Sequence, residues 1–251
     1  MRNKGHFLSR LRTLKLFGFL AALLTVAAIA SAGGDPWKSK SFQQWSEGDV
    51  KTIFESSPWA RPNLQPSGAW RPIGSGTTSG VGVFGRSTDV ADGGASKERD
   101  AVGAAQVYNV LWWSSRTIRA ASVRRAVIHG TMAEADAEKL VAHAPDEYQI
   151  YVGATNMSLF DKRGEKAFLD AAYLEAKKSK QQITPTEVTF QRNADDKVVG
   201  VIFHFPRKDK SGEPLIARDE KEVDFFLRVA DTRLTTDFDP RKMVDSQGPD
   251  L

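Results

Sequence analysis

Residues 187–205 read EVTFQRNADDKVVGVIFHF and contain two runs in which apolar and polar side chains alternate. A period of two is typical of β-strands that bury one face. Between the runs, Asn193, Ala194, Asp195 and Asp196 have the composition of a hairpin turn. The stretch therefore predicts an antiparallel pair of strands over 187–191 and 198–205.

The same alternation continues on the C-terminal side of this hairpin. Apolar and polar side chains alternate over Val223–Val229, which predicts a further strand, and 234–238 predicts another. On the N-terminal side, the pattern predicts strands over 107–113 and 148–152. It also predicts helices that follow Ser114 and Ser115 to Ile128 and that cover 132–142 and 165–178.

Helices thus dominate the first half of this region, and antiparallel strands dominate the second half. This order predicts an α+β domain over residues 99–251, with a mostly antiparallel sheet and helices packed on one of its faces.

An aromatic-rich helical segment is predicted over residues 33–67. Ser46 and Asp49 have the spacing of a capping box before a short amphipathic helix, which Trp45 and Trp59 bracket. So short a helix is marginal alone and must dock on something larger. Residues 68–98 are rich in Gly, Ser and Thr, which predicts a flexible linker.

The N-terminus has the pattern of a secretory signal peptide over residues 1–32. Basic residues without any acid precede an apolar run over 16–30, and Ala30, Ser31 and Ala32 form a small-residue cleavage site. We therefore predict export to a bacterial periplasm or exterior, with cleavage after Ala32. The alternative is an uncleaved signal segment, which would be the chain's one contact with the membrane.

Charge and composition exclude several classes of function. The whole chain carries a net charge of +4, with 35 basic and 31 acidic residues, but five of the basic residues lie within the signal peptide. Removing that peptide leaves a net charge of −1, which gives no electrostatic case for nucleic-acid binding. The absence of Cys excludes disulfides, thiolate metal sites, cysteine nucleophiles and lipoprotein attachment.

No motif in the sequence identifies a cofactor, a metal or a catalytic group. Gly80, Gly82 and Gly85 have dinucleotide-binding spacing but lack the flanking strand and helix that such a site needs. His143 lies near Asp146 and Glu147, but Pro145 and the missing second histidine remove the shared helical face of a zinc site. We therefore predict no cofactor and no metal, and we assign no catalytic residue.

Five residues are candidates for contact with a partner or a ligand. Alternation places His204 on a half-exposed face of a strand, where it is either a structural residue or a base. Arg116 and Arg119 are neighbours in the first turn of a helix, so they either bind an anion or form an ordinary solvated face. Trp45 and Trp59 either stack on a ligand or serve the core.

The run Trp45-Ser46-x-x-Asp49-Val50-x-x-Ile53-x-x-Ser56-x-Pro58-Trp59 follows the signal peptide closely. It resembles the N-terminal signature of an uncharacterised family of exported bacterial proteins of the acidobacteria type. The resemblance is sharpest over residues 36–62 and is weaker at 114–119 and 203–207. It implies an exported α+β protein and assigns no activity or catalytic residue.

Two functions follow from the sequence as hypotheses. The leading one is an exported soluble binding or structural module, not an enzyme, whose partner is a protein or a small ligand. The alternative is a periplasmic or secreted hydrolase that uses His204 or His143 with nearby acids.

Overall fold

The computed structural model describes residues 34–65 and 106–251, apart from residues 218 and 231. The predicted signal peptide and the predicted linker lie outside the described residues. The helices are α1 (Pro36–Ser39), α2 (Glu47–Ser56), α3 (Arg116–Ile128), α4 (Glu134–Ala142) and α5 (Ser158–Asp161). The strands are β1 (Ala60–Gln65), β2 (Gln106–Trp112), β3 (Glu147–Ala154), β4 (Ala172–Ala176), β5 (Gln181–Ile183), β6 (Glu187–Arg192), β7 (Val198–Pro206), β8 (Val223–Val229), β9 (Thr232–Phe238), β10 (Val244–Asp245) and β11 (Gly248–Pro249).

The strands form antiparallel sheets, and with the helices they give an α+β protein, as the sequence predicts. The longer strands divide between two sheets instead of one. Sheet 1 has the strand order β1-β2-β3-β7-β6, and sheet 2 has the order β5-β4-β8-β9. Strands β10 and β11 form a separate short hairpin.

The two sheets share one hydrophobic core. Trp112 of sheet 1 meets Phe238 of sheet 2 with ring centroids 5.2 Å apart, and Phe203 meets Phe225 at 5.4 Å. All four rings are fully buried. Side chains along a strand point alternately to the two faces of a sheet, so each sheet also has an outer face that points away from this core.

The segment before the linker contributes to this core. Trp37, Trp45 and Trp59 are buried, and α2 packs on α3 and on β1. Strand β1, which the sequence analysis does not predict, pairs with β2. The side chains of Arg61 and Asn63 also donate hydrogen bonds to main-chain oxygens of β9, so β1 joins the edges of the two sheets.

The short amphipathic helix predicted after Ser46 is confirmed as α2. Its capping box is complete, because Ser46 Oγ accepts from the Asp49 N–H while the Asp49 carboxylate accepts from the Ser46 N–H. Ser115 caps α3 by accepting from the Ile118 N–H at 3.2 Å. Both helices therefore begin where side-chain chemistry places them.

The predicted helix over 165–178 is wrong. A single 3₁₀ turn covers Glu165–Phe168, and Ala172–Ala176 then forms β4 between β5 and β8. Ala and Leu are strong helix formers, but packing overrides local propensity here. Ala172, Leu174 and Ala176 alternate as buried residues on the core side of sheet 2.

Candidate functional site

Trp45 and Trp59, two of the predicted contact residues, lie in the core. Their side chains are 4% and 0% exposed. The indole N–H of Trp45 donates to the Pro36 main-chain oxygen at 3.2 Å, and that of Trp59 donates to the Asp250 main-chain oxygen at 2.6 Å. Both rings are therefore used inside the fold, and neither is presented at the surface.

Arg116, at the first turn of α3, is held by two acidic residues from the end of the chain. Its guanidinium forms a two-point contact with the Asp245 carboxylate at 2.6 and 2.7 Å. The Asp250 carboxylate accepts from the main-chain N–H groups of Arg116 and Thr117. The positive end of this helix is thus neutralised within the chain itself.

Arg119 lies one turn further along α3 and is also engaged internally. Its Nη1 donates to the main-chain oxygens of Leu140, Val141 and His143 at 2.7–3.0 Å, so it caps the C-terminal end of α4. Cations at this end of a helix stabilise its dipole. Of the predicted pair, Arg116 therefore joins α3 to β10, and Arg119 joins α3 to α4.

His204 occupies the outer face of sheet 1, half-buried, as the alternation predicts. Its Nδ1 lies 2.5 Å from Glu147 Oε1, and its Nε2 lies 3.1 Å from Thr189 Oγ1. Gln149 donates to the same Glu147 oxygen at 2.7 Å. The three strands β3, β7 and β6 thus align a carboxylate, an imidazole and a hydroxyl in sequence.

The electrostatics of this arrangement favour a charged Glu147. Partial burial by itself would raise the pKa of Glu147, but the hydrogen bonds from His204 and Gln149 outweigh burial and lower that pKa below its ordinary value. An ionised carboxylate on Nδ1 orients the ring, so that Nε2 faces the Thr189 hydroxyl. Geometrically, the group is a base with an orienting acid and a potential nucleophile.

His143, the other histidine of the hydrolase hypothesis, is not assembled into a comparable group. It is exposed at the end of α4. The carboxylate of Glu147, which the sequence places near it, contacts His204 instead. The described hydrogen bonds therefore join Glu147 to His204 and not to His143.

A basic groove, defined here by Arg163, Arg228, Arg233, Tyr173 and Phe226, opens on the outer face of sheet 2. Its volume is about 480 Å³, and Asp170 also lies on its wall. The rings of Tyr173 and Phe226 stack with centroids 4.6 Å apart and planes inclined by 21°. A stacked aromatic pair at the foot of three guanidinium groups suits a ligand that has both an apolar face and a negative charge.

The strand register places like charges opposite each other in this basic groove. Arg228 of β8 is the direct cross-strand partner of Arg233 of β9, and the pair Phe226 and Thr235 is the next one on the same face of the sheet. Like charges that oppose each other directly on an antiparallel pair are destabilising. The register therefore concentrates positive charge in this groove.

Four other arginines in the described part of the chain form ion pairs with acidic side chains. Arg116 binds Asp245, Arg241 binds Asp239, and Arg192 lies within ion-pair range of Asp161. By contrast, no described carboxylate forms an ion pair with Arg163 or with Arg228. Both of these side chains are exposed, so their charges face solvent.

Sequence reasoning missed the basic groove because it placed Tyr173 in a helix. The alternation in Val223–Val229 did carry one signal, since Phe226 is an aromatic residue on the otherwise polar side of that strand. The stacking partner of Phe226 could not be predicted, because it depends on the pairing of β4 with β8, which places Tyr173 directly opposite Phe226.

Within the described residues, no three potential metal ligands of the His, Asp or Glu type come together. No described helix has the length and apolar character needed to span a bilayer. Comparisons with protein-family models, with curated proteins and with solved structures give no match.

Proposed function

We propose that this chain is an exported binding module that holds a small anionic ligand in the basic groove. The ligand class is a phosphate, sulfate or carboxylate attached to a flat or apolar ring. Export rests on the signal pattern of residues 1–32, with cleavage after Ala32.

The cross-strand pair of Arg228 and Arg233 carries this proposal. The register places these two guanidinium groups side by side on one face of sheet 2, and Arg163 adds a third positive charge to the same wall. Guanidinium groups bind oxyanions through two parallel hydrogen bonds, so the groove offers donors suited to such a group.

The aromatic pair explains why the ligand should be more than a free anion. Tyr173 and Phe226 provide a stacked, half-buried aromatic pair beside the arginines, against which a ligand ring can pack. The volume of about 480 Å³ falls within the usual range of about 300–1,000 Å³ for small-molecule sites.

Calorimetric titration of the chain over residues 33–251 tests the proposal with phenyl phosphate as the probe. Inorganic phosphate and phenol serve as its two halves. We expect phenyl phosphate to bind more tightly than either half, because only the intact molecule uses both the arginines and the rings. Equal binding of phenyl phosphate and phosphate would contradict the role of the rings, and no binding at all would overturn the proposal.

Arginine variants locate the binding. Arg228→Ala should weaken phenyl phosphate binding roughly tenfold or more, since a hydrogen bond to a charged group contributes about 1.5–3 kcal/mol. Arg241→Ala is the matched control, because Arg241 is an exposed arginine that binds Asp239 away from the groove. An equal loss in both variants would point to non-specific charge attraction.

A hydrolase remains a second candidate function, favoured by one observation. His204 lies between Glu147 and Thr189 with both ring nitrogens engaged, at 2.5 and 3.1 Å. If the group is catalytic, His204→Ala abolishes turnover of p-nitrophenyl acetate while the chain stays folded, as circular dichroism measures. Thr189→Val should have the same effect, and Thr235→Val on the other sheet should not. Undiminished turnover in His204→Ala would exclude the role.

A further inference from the structure

A second groove, on the outer face of sheet 1, has a floor that glycines make possible. A Cβ atom on Gly200 would lie only 2.3 Å from the ring of Tyr151, and one on Gly153 would lie 2.3 Å from its hydroxyl oxygen and 2.7 Å from its ring. The ring of Tyr151 therefore lies flat against the sheet across β3 and β7, in the space that two side chains would otherwise fill. Few sheet positions allow this, since most residues carry a Cβ.

Trp113 extends this aromatic floor. Its ring centroid lies 5.3 Å from that of Tyr151, with an angle of 34° between the planes. Both side chains are only half-buried, in contrast to the fully buried Trp59 and Trp112 of the core. The pair thus forms an aromatic surface that solvent reaches.

Two amide side chains border this floor in one row across the sheet. Asn109 is the cross-strand partner of Gly153, and Gln191 is the cross-strand partner of Gly200. Asn109 and Gln191 also line the groove, whose volume is about 310 Å³. Neither amide forms a hydrogen bond with any other residue that the structure describes, so both are available to a ligand.

The remaining wall comes from α2 and α3. It includes Phe54, Glu55 and Arg125, with the Arg125 guanidinium stacked 4.8 Å above the Phe54 ring. One acid and one base leave this rim without net charge. In this respect the groove differs from the basic groove of sheet 2, which has three arginines and one aspartate.

From these features we infer that the groove binds a pyranose ring of an oligosaccharide. The C–H face of a sugar ring packs on aromatic rings, and its hydroxyl groups both donate and accept hydrogen bonds. Asn and Gln amides offer a matching donor and acceptor on each side chain. The neutral rim favours an uncharged sugar, and the groove is large enough for one ring with its substituents.

Titration of the chain over residues 33–251 with four soluble probes tests the inference: cellohexaose, maltohexaose, mannohexaose and chitohexaose. We expect saturable binding of at least one probe, accompanied by a change in tryptophan fluorescence from Trp113. Absence of saturable binding for all four at millimolar concentration would overturn the inference.

Substitution of the amides then locates the bound sugar. Asn109→Ala and Gln191→Ala remove groups that make no described internal bond, so each variant should keep its melting temperature and bind about fivefold more weakly. Thr235→Ala, an exposed residue of sheet 2, is the control and should bind normally. Unchanged affinity in both amide variants would place the sugar elsewhere and contradict the inference. Phenyl phosphate should not compete, which separates this site from the basic groove.

Discussion

Single residues decide how the outer face of sheet 1 is built, and Gly200 is one of them. Its missing side chain leaves room for the ring of Tyr151, whose nearest atom would lie 2.3 Å from a Cβ at this position. Such a distance is far below van der Waals contact. The identity of this residue is therefore set by its neighbour and not by its own backbone.

Gly200→Ala should destabilise the protein by about 1–3 kcal/mol, the usual cost of inserting a methyl group into a filled space. Urea denaturation measures the change in the free energy of unfolding. Gly164→Ala is the matched control, because a Cβ there meets nothing within 4 Å. In a Tyr151→Ala background the cost of Gly200→Ala should fall; an unchanged cost would show that the ring is not the cause.

The lowered pKa of Glu147 makes its contribution to stability depend on pH. The pKa lies below the ordinary value of 4.5, so the charged carboxylate stabilises the folded state above that value. This stabilisation should disappear as the pH falls through the folded-state pKa. The difference in unfolding free energy between the natural chain and Glu147→Gln should therefore shrink as the pH falls from above 4.5 through the folded-state pKa. A difference that stays constant over this range would contradict the hydrogen bonds to His204 and Gln149.

At the scale of elements, Asp250 caps α3 from a distant part of the chain. Its carboxylate accepts from the N–H groups of Arg116 and Thr117, while Ser115 provides the local cap. Burial raises the pKa of Asp250, although these hydrogen bonds oppose the rise. The Asp250 carboxylate is therefore buried at a position where the loss of its two N–H donors would destabilise the fold.

Asp250→Ala should cost about 1–3 kcal/mol, because one buried and one partly buried main-chain N–H group lose their acceptor. Asp250→Asn should cost less, since the amide oxygen still accepts one of the two bonds. Thermal unfolding compares the variants, with Asp195→Ala in an exposed turn as the control. An equal loss in Asp250→Asn and Asp250→Ala would show that the negative charge, and not the acceptor, matters.

Elements with a complete local signal could be predicted from the sequence. The capping box gave α2, and alternation gave β7 and β8. Strand β4 could not be predicted, because Ala, Leu and Glu favour a helix locally and only the pairing with β8 overrides them. The basic groove could not be predicted for the same reason, because Tyr173, one of its two aromatic residues, belongs to β4.

At the scale of the whole molecule, the first segment and the later domain share one core. Trp59 is fully buried, and β1 completes sheet 1 through β2. The sequence predicted that the short helix must dock, but not where, because docking depends on contacts between residues far apart in the chain. The division into two sheets could not be predicted either. Alternation shows which face of a strand is buried but not which strand pairs with it.

Cleavage within residues 68–98 should therefore leave two pieces that stay together. Gel filtration under native conditions should recover both in one peak, and denaturant should separate them. The β1–β2 pairing and the buried tryptophans hold the first piece in place. Recovery of a stable fragment beginning near Asp100, free of the first piece, would contradict this dependence. The chain expressed without residues 34–65 should correspondingly aggregate, because β2 would present an open edge.

The pairing of β1 with β2 also bears on the order of folding. Residues 66–105 lie between these two strands, so their pairing must close a long stretch of chain before it gains any contact. The hairpin of β8 and β9 and that of β6 and β7 close much shorter loops. We expect these local hairpins to form first and residues 34–65 to pack onto them last, because local contacts form faster than distant ones.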